Sequence, residues 1–346
     1  MPLSKTVVKT GMGKLALVDL PVPDPGPNQV VIRTTLSTIC GSDIHILDEF
    51  PMPPGVPAVP MGHEACGIVE EVGPGVTSVK PGNRVVVSCL ASCGFCENCQ
   101  RGMQAICQTY GAPSNLLFGA QGTFFTVNGA QLSLAPIPES LTDEQVIFAG
   151  DIMSTGLAAV ENGGVNYGDV VAVFAQGPVG LCATAGARLR GAGLIIAVES
   201  VPERIAVAKQ LGADIVVQPA AAVDEIMEIT RGRGVDVAIE ALGSQTTFEA
   251  CARVTRMGGT ISSVGVYGAH PELTLPTTVN FWNRRIVTTL CPVGSDRLRR
   301  MMMLVEHGKI DLRPLFTHRM KLTDALQAYE LFKSRGEGVL KIALTP

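Results

Sequence analysis

Residues 170–180 decide the fold, and they read VVAVFAQGPVG. The apolar, largely β-branched run from Val170 to Ala175 predicts a buried strand. Gly177 and Gly180 then lead into a stretch of helical character, as in the turn that binds the phosphates of a dinucleotide. Gly177 would let the backbone approach a pyrophosphate, and Gly180 would permit close packing of helix on strand. Ala175 replaces the first glycine of the usual motif, which is a mild departure.

Strands and helices alternate around this turn, from about residue 153 onward. Strands are predicted at 170–175, 194–198, 215–217, 235–239 and 260–264. Helices are predicted at 180–190, 202–211, 223–230 and 245–254. The alternation predicts a parallel, doubly wound α/β sheet of the Rossmann type.

Glu199 ends the second of these strands, nineteen residues after Gly180. A carboxylate at this place can accept both ribose hydroxyls of NAD, and it would repel the 2′-phosphate of NADP. The spacing therefore favours NAD as the cofactor, with NADP as the less favoured alternative. Arg204 follows five residues later, where a lone arginine on a helix more commonly faces solvent.

Residues 1–150 have a different pattern, with short β-branched runs at 30–35, 68–72 and 84–87. Glycine and proline separate these runs, which predicts a compact, barrel-like β domain. After residue 292 come two helical stretches and a final strand, at 296–307, 323–333 and 340–344. We expect this tail to pack on the first domain.

Composition narrows the class of protein. The 346 residues are 46% hydrophobic and 17% charged, which is typical of a globular enzyme. A net charge of −4 offers no basic field for nucleic acid. The sequence has no apolar run of membrane-spanning length and no signal-peptide core, so we expect a cytoplasmic protein. In that reducing setting the ten cysteines are better read as metal ligands or buried small residues than as disulfides.

Four cysteines lie close together in the sequence at C-x2-C-x2-C-x7-C spacing: Cys93, Cys96, Cys99 and Cys107. The spacing predicts a closed, four-cysteine zinc site. A closed site has no open position, so this zinc would be structural. A disulfide cluster is the competing interpretation, and the absence of a secretion signal counts against it.

A second group of metal-ligand residue types lies in CGSDIH at 40–45 and GHE at 62–64. Cys40 and His63 taken alone are as well explained by a buried small residue and a loop histidine. Asp151 is an isolated acid in an apolar setting, where the β-rich half meets the Rossmann half. It would be either a helix cap or surface acid, or a further ligand at the domain junction.

Taken together, these stretches resemble the zinc-dependent medium-chain alcohol dehydrogenases. The matching segments follow family order over nearly the whole chain: 40–45, 62–67, 93–107, 150–156, 176–180 and 258–265. The resemblance implies a GroES-like β-barrel catalytic domain, residues 1–152 and 292–346, with the structural-zinc lobe at about 89–110. Residues 153–291 would form the Rossmann domain that binds NAD. Asp151 and the segment 291–301 resemble the bacterial secondary-alcohol branch.

The resemblance also implies roles for single residues. Cys40, His63 and Asp151 would hold a catalytic zinc, and Glu64 would stand behind it as a transient ligand. Ser42 would accept the proton of the alcohol, which would leave through the cofactor ribose and His45. The cofactor would contact residues of the glycine turn, the next strand and helix, and the backbone facing the nicotinamide: Gly177, Pro178, Val179, Gly180, Glu199, Arg204, Leu242, Val264 and Val266.

The activity implied is the reversible, NAD-linked oxidation of secondary alcohols, and of medium-chain primary alcohols, to ketones and aldehydes. The family places a substrate-pocket side chain at Cys89, and a small residue there leaves room for a second substituent on the carbinol carbon. Leu116, Leu117 and Phe118 would add apolar wall or else belong to the core. Some microbial members of this branch lack the lobe cysteines and carry a small residue in place of Glu199, which suits NADP; this chain keeps both features of an NAD-using relative.

Other functions stay open at this point. A polyol or threonine-type dehydrogenase of the same family would share the motifs, although the apolar stretch 115–118 argues against a polyol pocket. A zinc-free quinone reductase is disfavoured by Cys40, His63 and Asp151 together. From another class, the chain would be a non-catalytic protein that binds zinc and a dinucleotide. The expected assembly is two zinc ions and one NAD per chain in a homotetramer, with a dimer as the alternative; the expected partners are small alcohols and ketones, not nucleic acid or membrane.

Overall fold

The computed structural model of the chain describes residues 3–111, 115–268, 272–276, 279–334, 336 and 338–346. Two compact units are present. The first comprises the chain up to Ser154 together with Cys291 onward, and the second comprises Thr155–Leu290. Within the described ranges, every helix is too short or too polar to cross a bilayer.

The secondary structure follows the chain in this order. The strands are β1 (Leu3–Gly11), β2 (Lys14–Pro21), β3 (Gln29–Thr38), β4 (Val59–Pro60), β5 (Ala65–Val72), β6 (Arg84–Val87), β7 (Phe124–Asn128), β8 (Leu134–Pro136), β9 (Val170–Phe174), β10 (Leu194–Val198), β11 (Ile215–Val217), β12 (Val235–Glu240), β13 (Thr255–Ser263), β14 (Arg285–Thr288), β15 (Phe316–Lys321) and β16 (Lys341–Thr345). The α-helices are α1 (Gly41–Asp48), α2 (Glu97–Gln100), α3 (Ala130–Ser133), α4 (Asp143–Val146), α5 (Ile152–Gly163), α6 (Pro178–Leu189), α7 (Pro202–Gln210), α8 (Ala222–Ile229), α9 (Gln245–Val254), α10 (Ser295–Glu306) and α11 (Ala325–Ser334).

The first unit is built on a sheet that both ends of the chain share. Its strand order is β15-β16-β3-β5-β6-β8, and β7 also pairs with β3. Strand β16 runs antiparallel to β3, with Ala343 opposite Thr38. A smaller sheet has the order β2-β1-β4. Alternate residues of these strands point inward and form an apolar core that includes Ile32, Val69 and Phe125.

The second unit contains one parallel sheet with the order β11-β10-β9-β12-β13-β14. The strand that precedes the glycine turn, β9, therefore lies in the middle, with chain order reversing beside it. In open α/β sheets, ligands bind at the carboxyl ends of the strands at such a reversal. The predicted α/β class, with a parallel doubly wound sheet and a β-rich companion, is confirmed.

Helix α1 was not predicted, because its residues carry no strong amphipathic pattern. The helix begins directly after Cys40, whose backbone N–H donates to Asp43 Oδ2 at 2.9 Å. An acid in the first turn that accepts an otherwise unpaired N–H is an ordinary helix start. The helix therefore places Ser42, Asp43 and His45 on a rigid segment.

The three small residues of the glycine turn, Ala175, Gly177 and Gly180, differ in backbone conformation and in the space around them. Ala175 has φ = 69°, a left-handed conformation that costs an L-residue about 1 kcal/mol or more. A Cβ on Gly180 would lie 1.9 Å from the carbonyl oxygen of Ala175, so only glycine fits there. A Cβ on Gly177 would meet no atom of the described residues within 4 Å. Gly180 is therefore the residue that packs closely against the backbone of Ala175, whereas Gly177 borders open space.

This contrast yields a stability prediction. Gly180→Ala should lower the free energy of unfolding by about 1–3 kcal/mol, because the new methyl group overlaps backbone that cannot move freely. Gly177→Ala is the matched control and should leave stability within about 0.5 kcal/mol. Denaturant unfolding of both variants checks this, and equal stability of the two would show that the turn is looser than described.

Candidate active site

Three metal-ligand side chains meet in the first unit. Cys40 precedes α1, His63 lies two residues before β5, and Asp151 directly precedes α5. Their donor atoms all lie within 4.8 Å of one another. Asp151 Oδ2 is 3.3 Å from His63 Nε2 and 3.8 Å from Cys40 Sγ. The edges of a zinc tetrahedron with ordinary ligand distances are about 3.3 Å for N–O and about 3.6 Å for S–O. The residues therefore fit a three-ligand zinc site.

A chain of polar contacts orients His63. Its Nδ1 is 3.0 Å from Oδ1 of the fully buried Asp43, which leaves Nε2 facing Asp151. Gln121 donates to Asp43 Oδ2 at 3.0 Å, and Tyr329 donates to Gln121 Oε1 at 2.7 Å. A ligating histidine commonly gives its second N–H to a carboxylate in this way, which fixes the ring and its tautomer. Sequence reasoning missed Asp43, Gln121 and Tyr329.

The charge on His63 depends on these neighbours. Burial alone would lower the pKa of His63, but the charge of Asp43 and the hydrogen bonds to Asp151, Asp43 and Cys40 outweigh it. The pKa of His63 therefore lies well above its ordinary value. A cation that binds here must displace a proton from the ring, because only neutral imidazole is a ligand.

A second buried carboxylate lies behind the cluster. Glu64 is fully buried, and Thr38 Oγ1 and Lys341 Nζ both donate to its Oε2. Among the described residues, Glu64 Oε1 has no hydrogen-bond partner. Burial would lower the pKa of Lys341, but the charges of Cys40, Glu64 and Asp151 raise it above its ordinary value. Lys341 thus balances negative charge around the cluster. In the sequence, the only indication of this role is that a lysine interrupts an otherwise apolar final strand.

Ser42 and His45 lie three residues apart on α1 and have different contacts. Ser42 Oγ is 3.1 Å from His63 Nε2, so this hydroxyl is beside the metal-ligand cluster. His45 is about a third exposed, and its Nδ1 is 2.7 Å from Oε1 of Glu49. One residue therefore faces the cluster, and the other faces solvent on the same helix.

Cys89 shares its surroundings with a residue that sequence reasoning did not single out. Ligand atoms of Cys89, Cys291 and Asp151 lie within 4.8 Å of one another. A hydrogen bond with Cys291, together with burial and the charge of Asp151, raises the pKa of Cys89 well above its ordinary value. Both thiols belong to an apolar cluster with Leu116 and Val293.

Leu117 and Phe118, the other two residues predicted to line the pocket, lie outside the apolar cluster of Cys89. Leu117 packs in the barrel core with Val85 and Phe125. Phe118 lines a cavity of about 200 Å³ beside strands β1, β2 and β7. Of the residues at 116–118, Leu116 is the one grouped with Cys89, and the core alternative applies to Leu117.

The cysteine lobe has the spacing of a metal tetrahedron. The Sγ atoms of Cys93 and Cys99 are 3.9 Å apart, as are those of Cys96 and Cys107. A zinc ion with four sulfur ligands has S–S edges of about 3.8 Å. Burial opposes ionisation of Cys93, but hydrogen bonds from Thr109 and from the backbone of residues 95 and 96 lower its pKa to about 6.

In the second unit, the glycine turn and Glu199 are joined directly. Gly177 precedes α6 as its N-cap, and Pro178 and Val179 form the first turn. Glu199 Oε2 accepts the backbone N–H of Gln176 at 3.1 Å, and its Oε1 accepts those of residues 200 and 201. Arg204 is only 22% exposed and lies 3.8 Å from Glu199 Oε2, so it is an ion-pair partner and not a solvated surface residue.

A buried acid holds the loops that follow β12 and β13. Glu240 accepts the backbone N–H groups of Leu242 and Gly243 at 2.9 Å each and the hydroxyl of Tyr267 at 3.0 Å. A Cβ on Gly243 would lie 2.1 Å from the carbonyl oxygen of Val266, so the two loops touch closely. Val264 donates its N–H to the carbonyl oxygen of Glu240. The three residues predicted to face the nicotinamide therefore lie together, around a glutamate that was not predicted.

Comparison with known proteins places this arrangement in a family. The profile of the alcohol dehydrogenase GroES-like domain matches residues 26–139, and that of the zinc-binding dehydrogenases matches residues 178–307. The chain therefore belongs to the zinc-dependent alcohol dehydrogenases, oxidoreductases that use zinc and a nicotinamide cofactor, which confirms the predicted family and enzyme class.

Individual relatives match over almost the full length. An alcohol dehydrogenase from Cupriavidus necator is 43% identical, covering 99% of each chain. An NADP-dependent isopropanol dehydrogenase from Thermoanaerobacter brockii is 35% identical, covering 95% of this chain and 96% of the relative. Among solved structures, an alcohol dehydrogenase from Thermus sp. ATN1 superposes with a TM-score of 0.89 at 31% identity, over 98% of this chain and 99% of that one.

The contact of Asp43 with His63 yields a metal-affinity prediction. Asp43→Asn should weaken retention of the metal at Cys40, His63 and Asp151 by about 10- to 100-fold, because the imidazole loses the charged partner that fixes it. Asp48→Asn on the same helix is the control and should have no effect. Zinc release to a chelator checks this, and unchanged release from Asp43→Asn would rule out the orienting role.

Proposed function

We propose that the chain catalyses the reversible, NAD-linked oxidation of secondary alcohols, and of medium-chain primary alcohols, to ketones and aldehydes. The convergence of Cys40, His63 and Asp151 carries the proposal, since it supplies a thiolate, an imidazole and a carboxylate at zinc-ligand spacing. A three-ligand zinc site has the open position that a substrate oxygen needs. The isopropanol dehydrogenase relative supports the same substrate class.

The residues of the first unit divide the work. Cys40, His63 and Asp151 hold the catalytic zinc, and Glu64 is the acid behind it. A zinc ion held there would supply Lewis acidity to an alcohol oxygen, and a bound nicotinamide cofactor would supply the capacity to accept hydride. Ser42 Oγ receives the hydroxyl proton, because a hydroxyl can accept and donate at once.

His45 delivers that proton to solvent, because an imidazole can accept a proton on one nitrogen and release one from the other, and this ring is partly exposed. Cys93, Cys96, Cys99 and Cys107 hold a second zinc that is structural. It stabilises a segment with little apolar core of its own.

The surroundings of Cys89 favour a secondary alcohol. Cys89 and Cys291 are small, and their neighbours Leu90, Leu116 and Val293 are apolar. A small side chain leaves volume for a second carbon substituent, and apolar neighbours do not satisfy the extra hydroxyls of a polyol. This argues against the sorbitol-like alternative.

The cofactor proposal is NAD, and it rests on the negative charge of Glu199. Three backbone N–H groups hold its carboxylate in place beside the glycine turn. A fixed negative charge there disfavours a 2′-phosphate. Resemblance to bacterial members of the family supports a cytoplasmic homotetramer as part of the same proposal.

A first experiment tests substrate and metal together. Purified protein should reduce NAD with 2-butanol and, more slowly, with 1-hexanol, but not with sorbitol or threonine, and it should contain about two zinc ions per chain. Cys40→Ser should abolish turnover with little loss of stability, whereas Cys93→Ser should mainly lower the melting temperature. Failure to oxidise any alcohol, or the absence of zinc, would contradict the proposal.

The preference for NAD over NADP is tested by replacing Glu199. Glu199→Gly should raise the ratio of NADP to NAD activity by about tenfold or more, the effect of removing roughly 1.4 kcal/mol of discrimination. Glu203→Gln, an exposed acid in the first turn of α7, is the control and should leave the ratio unchanged. An unaltered ratio in Glu199→Gly would show that something other than this carboxylate selects the cofactor.

A further inference from the structure

His45 and Glu49 are joined by a side-chain contact and by a backbone hydrogen bond. His45 Nδ1 is 2.7 Å from Glu49 Oε1, and the backbone N–H of Glu49 donates to the carbonyl oxygen of His45 at 2.9 Å. Glu49 is the C-cap residue of α1, so its backbone is fixed by the end of the helix. The carboxylate is thus held beside one particular nitrogen of the imidazole.

Helix stability does not explain this pair. A carboxylate at the C-terminal end of a helix faces the negative end of the helix dipole, which is unfavourable. The order of charges is also the less stabilising one, since an acid four residues before a base is better than the reverse. Side chains about a third exposed gain little from ion pairing alone. A role in the chemistry of His45 accounts for the arrangement better than a structural role does.

The chemistry follows from the tautomer. An ionised carboxylate only accepts hydrogen bonds, so the neutral imidazole carries its proton on Nδ1 when it pairs with Glu49. Its Nε2 then presents a lone pair. The hydrogen bond made by one ring nitrogen thus decides whether the other nitrogen carries a proton. A base that receives a proton needs this lone pair, and the neighbouring carboxylate also stabilises the imidazolium that forms.

We propose that Glu49 is a positioning residue of the proton exit, which holds His45 as the Nδ1–H tautomer so that Nε2 accepts the proton released during alcohol oxidation. The inference rests on the proposed function for the release of that proton. Glu49 does not touch the reacting atoms and acts through His45. The outward path therefore runs through Ser42 and His45, and Glu49 positions the second of these residues.

Other charged groups at this end of the helix are already engaged. Asp48 pairs with Lys333 of α11 at 3.0 Å. Lys9 of β1 donates to the carbonyl oxygens of residues 46 and 50. Asp48 therefore offers a matched control, because Asp48→Asn removes a neighbouring negative charge and leaves the His45 pair in place.

The direct test observes the tautomer. The chain has five histidines, so histidine-selective ¹⁵N labelling gives few signals, and His45 is identified by the signal lost in His45→Gln. We expect the neutral ring of His45 to carry its proton on Nδ1 in the zinc-loaded protein, and to shift toward the Nε2–H form in Glu49→Ala. Asp48→Asn should leave the signal unchanged. An Nε2–H tautomer in the unaltered protein would overturn the inference.

The kinetic test measures alcohol oxidation against pH. Glu49→Ala should lower the plateau rate about three- to fivefold, the size expected for a partly exposed charge pair. Added imidazole should restore the rate, and Asp48→Asn should behave as the unaltered enzyme. In a His45→Gln background Glu49→Ala should have no further effect.

The outcomes separate the two claims. An enzyme that oxidises no alcohol contradicts the proposed function, while the tautomer measurement still tests the pair. An active enzyme in which Glu49→Ala changes neither tautomer nor rate overturns the inference alone. An equal loss of rate from Glu49→Ala with and without His45 would also overturn it.

Discussion

The contact between Asp43 and His63 is the interaction on which the site depends. It turns Nε2 of a buried imidazole toward Asp151, which also lies close to the thiol of Cys40. Cys40 and Asp151 are 111 positions apart in the sequence, so their meeting rests entirely on the fold of the first unit. The orienting chain continues through Gln121 to Tyr329, so a residue from the C-terminal tail helps to fix the position of His63.

The same tail also balances charge. Asp43, Glu64 and Asp151 bring three carboxyl groups near one thiol, and burying uncompensated charge is costly. Strand β16 contributes Lys341, which pairs with Glu64. The charges of Cys40 and Asp151 also raise the pKa of Lys341. A divalent cation would supply the remaining positive charge. Sharing one sheet between the two chain ends thus has an electrostatic consequence as well as a topological one.

Sequence reasoning succeeded where the signal is local. The alternation around residues 170–264 predicted the parallel sheet, with the bounds of β10 and β11 as observed. The spacing of the four lobe cysteines predicted a cluster because ligands within fifteen residues need no long-range pairing. Cys40, His63 and Asp151 were grouped only through family resemblance, since spacing alone left them ambiguous.

The residues that were missed depend on tertiary contacts. Asp43, Lys341 and Glu240 look like a helix acid, a strand lysine and a strand-end acid, and only packing shows what each one touches. Arg204 was named as a cofactor contact, with a solvent-facing position as the alternative, and its ion pair with Glu199 was not predicted. Side-chain direction separated Leu116 from Leu117, because neighbouring residues in extended chain face opposite ways.

Zinc K-edge absorption spectroscopy of the purified protein tests the central claim most directly, because it reads ligand type and distance without reference to turnover. The account predicts two zinc environments, with an average of two to three sulfur ligands per zinc at about 2.3 Å and the remaining nitrogen and oxygen ligands at about 2.0–2.1 Å. Cys40→Ser should remove one sulfur from the mixed environment and leave the four-sulfur environment intact. A spectrum with sulfur ligands alone, or with none, would contradict the account.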